Sequence, residues 1–563
     1  MVRRSSAQAT CHEKTEILLL ETMNALAASK LTWFGLHAPY ASSDMQLEGL
    51  RARIRTQTPS IYATVWGYNC LTSQFQGDYM DIVQLLNDID AAVWGIPMIL
   101  FLVGTHLFFT VRMKFIQRKL PLAIKNSFKG GGDEEGDITP FQALATALAA
   151  TIGTGSIVGV ATAILSGGPG SIFWMWIIGM LGMATKYAEI FAAVRYRVKD
   201  AKGEMIGGAM YIWDRAFIKN GKRPWWAKLG AVLFALFMAI AAIGTGCAVQ
   251  SSAITGIITS SGADVPNWLL GVIIAVLTAI VIFGGVQTIS KVCEKLVPFM
   301  AVAYGLGCII ILVMNNGVLI DAIVLIFQCA FTPHAAFGGA VGSGVIAAMQ
   351  FGAARGLFSN EAGMGTAAII AAAAKTKNPS EQALIGMTGV FWSTGLICVL
   401  SGLVLVCTML GHPQIQAEIL ANPTLYTGAK LASTAFATIP YIGTPVLVLG
   451  LCTFAYSTIL GWGYYGSRCV TYLFGAAGVK PYQAIYVIGA FLGAIGIGDV
   501  VWTIADITNA LMAIPNLIVI LLLSGVIAKE TDHYIYDDNM DELDERYIPT
   551  MAELNGKNYH EER

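Results

Sequence analysis

Long apolar runs separated by short polar intervals dominate the chain between residues 91 and 527. A helix needs about 20 apolar residues to cross the hydrocarbon of a bilayer. Eleven stretches come close to that length: 91–111, 142–165, 170–194, 229–258, 267–284, 296–314, 341–374, 383–410, 433–463, 483–498 and 503–527. They predict an all-α polytopic membrane protein with about 11 transmembrane helices. The stretches 341–374 and 433–463 are longer than one crossing needs and carry glycine or polar interruptions, so they predict broken or steeply tilted helices.

The basic residues set an orientation, because Lys and Arg near span ends are retained on the cytoplasmic side. They gather in 112–129, 195–228, 291–295, 375–377 and 468–480, whereas the intervening loops carry only Lys430. The alternation predicts an odd number of spans, an external N-terminus and a cytoplasmic C-terminus. Residues 112–128 mix basic and apolar side chains and are expected along the inner interface, with GGGDEEGD (130–137) as a flexible link. The acidic tail, 528–563, is expected to be solvated and mobile. Residues 1–79 break the pattern, with seven basic residues and no hydrophobic period beside a first span. They are expected to be a non-conforming extension, disordered or not translated, with the mature chain beginning near Met80.

Composition narrows the function. Of 563 residues 55% are hydrophobic and 13% charged, about half the charge of an ordinary soluble protein. The balance of 35 Lys+Arg against 36 Asp+Glu leaves no basic field for nucleic acid. Ten dispersed cysteines show neither a disulfide framework nor zinc spacing. No HExxH or GxxxxGK[ST] motif is present, which removes metal hydrolases and ATP-driven pumps. The string Gly496-Ile497-Gly498-Asp499 lacks the second acid an aspartyl protease needs, and no repeated filter-like segment points to a channel. The chain is therefore expected to have no catalytic residues and no cofactor beyond a coupling ion.

Ionisable residues inside spans are costly and mark functional candidates. Lys186 and Arg355 are the Lys and Arg that fall inside one. Lys186 stands three residues before Glu189, on one helix face, as a structural pair or a gate contact. Arg355 opens ARGLFSNEAGMGTAA (354–368), where polar residues and three glycines interrupt an apolar run; ATIGTGSIVGVA (150–161) is a similar interruption earlier in the chain. Two such breaks, one opening each half of a ten-helix core, point to an inverted-repeat secondary transporter. Half-helix N–H groups suit a carboxylate, released carbonyls suit a cation or ammonium, and Gly and Ala linings favour a small amino acid.

Three blocks, ATIGTGSIVGVATAI (150–164), GGPGSIFWMWIIGMLGMATKYAE (167–189) and GAARGLFSNEAGMGTAAI (352–369), supported by GWGYYGSRC (461–469), resemble the alanine or glycine:cation symporter family. The resemblance runs from about Met80 to Ala528. It implies a fold of the amino acid–polyamine–cation type: an N-terminal helix and interfacial linker (80–141), a first inverted repeat (142–314), an external connection (315–340) and a second inverted repeat (341–527). It implies a symporter of the cell membrane that imports alanine or glycine with sodium by alternating access. Proton coupling, or another substrate such as glutamine or serine, is the alternative, and the oligomeric state is open.

Carried over by position, the N–H groups of Thr154, Gly155 and Ser156 would meet the substrate carboxylate. The backbone of Phe358, Ser359 and Glu361, with Asn360 nearby, would meet its ammonium. The carbonyls of Ala149 and Ile152 with the hydroxyls of Ser457 and Thr458 would hold sodium, although such hydroxyls also back-bond to a preceding helix carbonyl. Arg355, Lys186, Glu189 and Trp174 are structural or gating candidates, and Trp176 and Trp462 could shape the pocket. The chain departs from the family at Ser156, where Asn is usual, at Ser393, where Asp is frequent, and in GWGYYGSRC, which lacks a usual Glu. These losses of side-chain carboxylate and amide bear on cation stoichiometry and pocket polarity.

Overall fold

The computed structural model of the chain describes residues 83–129, 134–219, 221–332, 344–421, 426–496 and 499–554. The extension expected over 1–79, the link residues 130–133 and the middle of the GxGD string lie outside them. In chain order the main helices are α1 (Val83–Arg112), α2 (Pro140–Thr151), α3 (Val158–Gly167), α4 (Gly170–Arg195), α5 (Trp225–Ser260), α6 (Asn267–Ile282) and α7 (Gly285–Met314). There follow α8 (Leu319–Phe331), α9 (Val345–Asn360), α10 (Thr366–Ala371), α11 (Pro379–Gly411), α12 (Gly443–Phe474), α13 (Ala476–Ala494) and α14 (Asp499–Leu522). Among the described residues seven helices are long and apolar enough to cross a membrane: α1, α4, α5, α7, α11, α12 and the greater part of α14. The chain is a multi-pass membrane protein.

Two interruptions position the site, and each has a local cause. Helix α2 starts sharply: Thr139 and Gln142 form a reciprocal capping box with Pro140 in the first turn. It ends where Ile152 (φ −83, ψ 83) leaves the helix and the Gly153 N–H bonds the Thr151 carbonyl instead of that of Ala149. A single tight turn, Thr154–Ser156, then leads to α3. Helix α9 ends on Glu361 at φ +54, and Gly363 and Gly365 follow at +89 and +76. Left-handed backbone is cheap for glycine and costly for other residues, so Glu361 holds its conformation through the contacts described below.

Two continuous helices carry π-helical stretches, Ala242–Ala248 in α5 and Phe391–Cys398 in α11, a widening frequent at functional sites. Small residues let helices approach closely around them: a Cβ on Gly246 would lie 2.4 Å from that of Trp462, and one on Gly244 2.6 Å from that of Ala505. Large apolar side chains such as Trp268, Val276, Ile280 and Val302 are exposed on α6 and α7, where lipid would meet them.

One expectation holds and one is corrected. The stretch 433–463 is broken. It divides into a short helix, Gly428–Ala437, a turn with Pro440 and Tyr441 at φ +64, and the unbroken α12; proline without an N–H cannot continue the first helix. The acidic tail is seated rather than mobile as far as residue 554. The Asp544 N–H donates to the Lys377 carbonyl at 2.8 Å and the Lys199 N–H to the Pro549 carbonyl at 2.9 Å. The Asn378 amide donates to the carbonyls of Met540 and Glu542 at 2.9 and 3.0 Å. Glu530 joins Arg195 and Arg546, and Arg223 reaches the Leu554 carbonyl. At the same end Val198–Lys199 pairs antiparallel with Met205–Ile206, in the register Val198↔Ile206 and Lys199↔Met205.

Candidate functional site

The two breaks meet face to face. The Phe358 ring lies so close over Gly155 that a Cβ there would be 2.9 Å from Cδ1. The Ser156 and Ser359 hydroxyls are 3.1 Å apart, and the Ser359 hydroxyl is 2.8 Å from the Cys398 Sγ in the π-helical stretch of α11. Beside this junction is a small cavity of about 10 Å³, room for about one water. Its walls include Thr151, Gly153 and Gly155 of the first break, Phe358 and Glu361 of the second, Thr245 and Gln250 of α5, Thr458 and Trp462 of α12, and Asn509 of α14.

Glu361 links most of these elements. One carboxylate oxygen accepts the Thr366 hydroxyl at 2.6 Å and the Thr151 hydroxyl at 3.4 Å; the other accepts the Trp462 indole N–H at 3.2 Å. Its backbone carbonyl accepts the Lys186 ammonium at 3.1 Å. The expectation that the Glu361 backbone faces a ligand is therefore modified. The carbonyl is taken by Lys186, and the carboxylate lines the cavity.

Lys186 and Glu189 pair at 3.4 Å, both buried on α4. Glu189 also accepts the N–H groups of Gly363 and Gly365, each at 3.1 Å, and the Asn516 amide at 3.0 Å. A buried ion pair survives only when its remaining hydrogen-bonding capacity is satisfied. Here the released backbone of the second break supplies those partners, so the pair and the break stabilise each other.

A second cluster forms where α2 ends. The hydroxyls of Ser457 and Thr458 both reach the Ala149 carbonyl, at 3.1 and 3.0 Å, and both also back-bond to the Phe454 carbonyl, at 2.8 and 3.0 Å. The two readings of these hydroxyls are thus simultaneous. Ala149 is free to accept them because the Gly153 N–H is turned elsewhere. Ile152 caps α2 beside them, with its N–H on the Leu148 carbonyl.

The remaining candidates are placed as follows. The Thr154 N–H points to the Gln250 side-chain oxygen at 3.4 Å, and the Ser156 N–H is committed to the Gly153 carbonyl at 3.2 Å. Asn360 closes the second break from within, its Oδ1 accepting the Ala362 N–H at 2.9 Å, and it lies outside the cavity. Trp174 is also away from the cavity: its indole donates to the Ala330 carbonyl at 3.0 Å and its ring packs on Phe331, joining α4 to α8. Arg355 is half-buried on α9, within electrostatic range of Asp90 and Asp506. Gln250, Thr245, Asn509 and Thr366 were not anticipated. Gln250 Nε2 donates to the Thr245 carbonyl at 3.2 Å and the Asn509 amide to the Thr245 hydroxyl at 2.7 Å. The signal available for them is a lone amide in an apolar run, which a search restricted to ionisable residues passes over.

The sequence profile of the sodium:alanine symporter family matches residues 79–547. The sodium/alanine symporter AgcS of Methanococcus maripaludis is 46% identical over 458 residues, covering 80% of this chain and 97% of AgcS. An uncharacterized transporter of Haemophilus influenzae is also 46% identical, over 81% of this chain and 96% of its own length. Among solved structures, that of MhsT in complex with L-phenylalanine aligns with a TM-score of 0.51 over 71% of this chain and 93% of that one, at 13% identity. The likeness to MhsT is one of fold.

Proposed function

The chain belongs to the sodium:alanine symporter family, and from that membership we propose that it imports a small neutral amino acid, alanine or glycine, together with sodium by alternating access. The observation that carries this reading is the convergence of the Ala149 carbonyl with the Ser457 and Thr458 hydroxyls beside the cavity that Glu361 lines. A hard cation prefers oxygen donors. Sodium takes these three oxygens, the hydroxyls keeping their hydrogens on the Phe454 carbonyl and turning their lone pairs toward the ion.

The amino acid lies across the junction of the two breaks. Its carboxylate faces the N–H groups of Gly155 and of Thr154, displacing the Gln250 side-chain oxygen from the latter, where the positive end of α3 favours an anion. Its ammonium faces the Glu361 carboxylate. Phe358 and Met364 line the cavity and would meet a methyl side chain as the cavity widens to admit the amino acid, leaving little further room. Because Thr458 and Glu361 line one cavity, the ion and the substrate order the same few residues, and each lowers the cost of binding the other.

In transport the halves of the broken helices swing about residues 152–157 and 361–365, exposing the site alternately to the two sides. The repeats 142–314 and 341–527, an external N-terminus and an internal C-terminus complete the scheme. Equilibrium binding of radiolabelled alanine to purified protein tests it: binding should require sodium, fail in potassium, and be displaced by glycine more strongly than by serine or glutamine. Binding unaffected by replacing sodium with potassium would remove the coupling.

A further inference from the structure

Helix α7 presents two depressions in succession, away from the substrate cavity. The first, about 450 Å³ and open, includes Thr288, Lys291, Lys295 and Phe299. The second, about 330 Å³, lies between α7, α2 and α11 with almost wholly apolar walls, among them Leu148, Ile152, Val297, Val302 and Trp392. At about 100° per residue, Lys291, Lys295, Pro298 and Val302 fall within about 60° of arc, so the two depressions lie on neighbouring faces of α7 and adjoin along this strip.

The charge along that strip is one-sided. Lys291 and Lys295 are exposed and, among the described residues, have no acidic partner. Glu294, the acid between them, is held on the α2 side by Gln142, whose amide donates to it at 2.9 Å. Exposed Lys125 adds a further positive charge one turn before Phe128, which lines the groove and is itself 69% exposed. A pair of uncompensated cations at the mouth of an apolar furrow complements an amphiphile whose head is anionic and whose tail is hydrocarbon.

We propose that this strip binds one anionic phospholipid, with an acyl chain in the groove and the headgroup phosphate held by Lys291 and Lys295. The chain packs from outside on Ile152, the residue that ends α2, and on Ile397, next to the Cys398 that meets Ser359. The lipid therefore meets, on both walls, a residue at which the α-helix is interrupted. The inference is independent of which amino acid is carried.

The test titrates the purified full-length protein in detergent with phosphatidylglycerol and, separately, with phosphatidylcholine, counting retained lipid by native mass spectrometry. Wild type should retain one phosphatidylglycerol at concentrations where phosphatidylcholine is lost, and equimolar inorganic phosphate should not displace it. The double variant Lys291→Gln/Lys295→Gln should weaken retention by about thirtyfold. Val302→Trp, which fills the groove from an exposed position, should lower retention with both lysines in place. Each variant changes an exposed side chain, and unchanged melting temperatures keep folding out of the comparison. Equal retention of the two lipids, or wild-type retention of phosphatidylglycerol by either variant, or displacement by phosphate, overturns the proposal.

Discussion

Thr458 donates its hydroxyl to the Ala149 carbonyl at 3.0 Å, joining positions 309 residues apart. Neighbouring Ser457 makes the same bond at 3.1 Å, so two hydroxyls converge on one carbonyl freed by a helix break. Removing one oxygen ligand while keeping the shape of the side chain isolates its role. Thr458→Val should raise the sodium concentration for half-maximal uptake by about tenfold to a hundredfold, the range for losing a hydrogen-bonding group to a charge. Thr453→Val on the same helix, whose hydroxyl back-bonds to the Leu449 and Gly450 carbonyls, should leave it unchanged. Sodium titration of uptake in liposomes reads both.

The breaks are legible in the sequence because glycine and polar residues inside an apolar run have few other uses: GTGS at 153–156 and NEAGMG at 360–365 fall on the irregular backbone or at its edge. Their partners are less legible. Gln250 and Asn509 carry no charge, and nothing local says that a π-helical stretch turns Thr245 toward them. Trp174 reads equally as a structural or a gating residue, and its indole proves to bond the Ala330 carbonyl. The tail reads as solvated because composition records its acids but not the Lys377 carbonyl or the Asn378 amide that meets its backbone.

Glu361→Gln separates charge from hydrogen bonding. The amide oxygen can still accept the Trp462 indole N–H while its NH2 donates to the Thr366 hydroxyl oxygen, and the negative charge proposed to face the ammonium is removed. The half-saturating alanine concentration should rise at least about tenfold, as expected for losing a charge-assisted contact, with expression and melting temperature close to wild type. Asn360→Asp, which keeps the acceptor for the Ala362 N–H, should be tolerated better than Asn360→Ala, whose maximal uptake rate should fall. Initial-rate kinetics in liposomes distinguish the two patterns.

A methyl group at either glycine of the first break collides with a different neighbour. On Gly153 it would lie 2.6 Å from the Thr458 Oγ1 and 3.3 Å from the Gln250 Oε1; on Gly155 it would press on the Phe358 ring at 2.9 Å. Overpacking of this kind costs about 1–3 kcal/mol. Gly153→Ala should chiefly weaken sodium and Gly155→Ala chiefly weaken alanine, by fivefold or more, in paired titrations of uptake.

The seated tail should be a stabilising element. Deleting residues 532–563 should lower the melting temperature by several degrees. Asn378→Ala, which removes two bonds to the tail and the cap of α11, should cost about 1–2 kcal/mol. The exposed Lys377–Asp541 pair should matter little. Hydrogen bonding by Lys377 holds the Asp541 carboxyl below its usual range. Its contribution is therefore present above a pH of about 4, the unfolded value, and is lost as pH falls through the lower folded value, leaving docking unchanged between about pH 6 and 8. Hydrogen exchange of residues 540–554 measures this directly.

Uptake of radiolabelled alanine into liposomes containing the purified protein, with an inward sodium gradient imposed and then collapsed by an ionophore, tests the central claim most directly. Accumulation above the external concentration while the gradient stands, falling to equilibration once it is collapsed, is the predicted result. Uptake of equal extent with and without the gradient would contradict it.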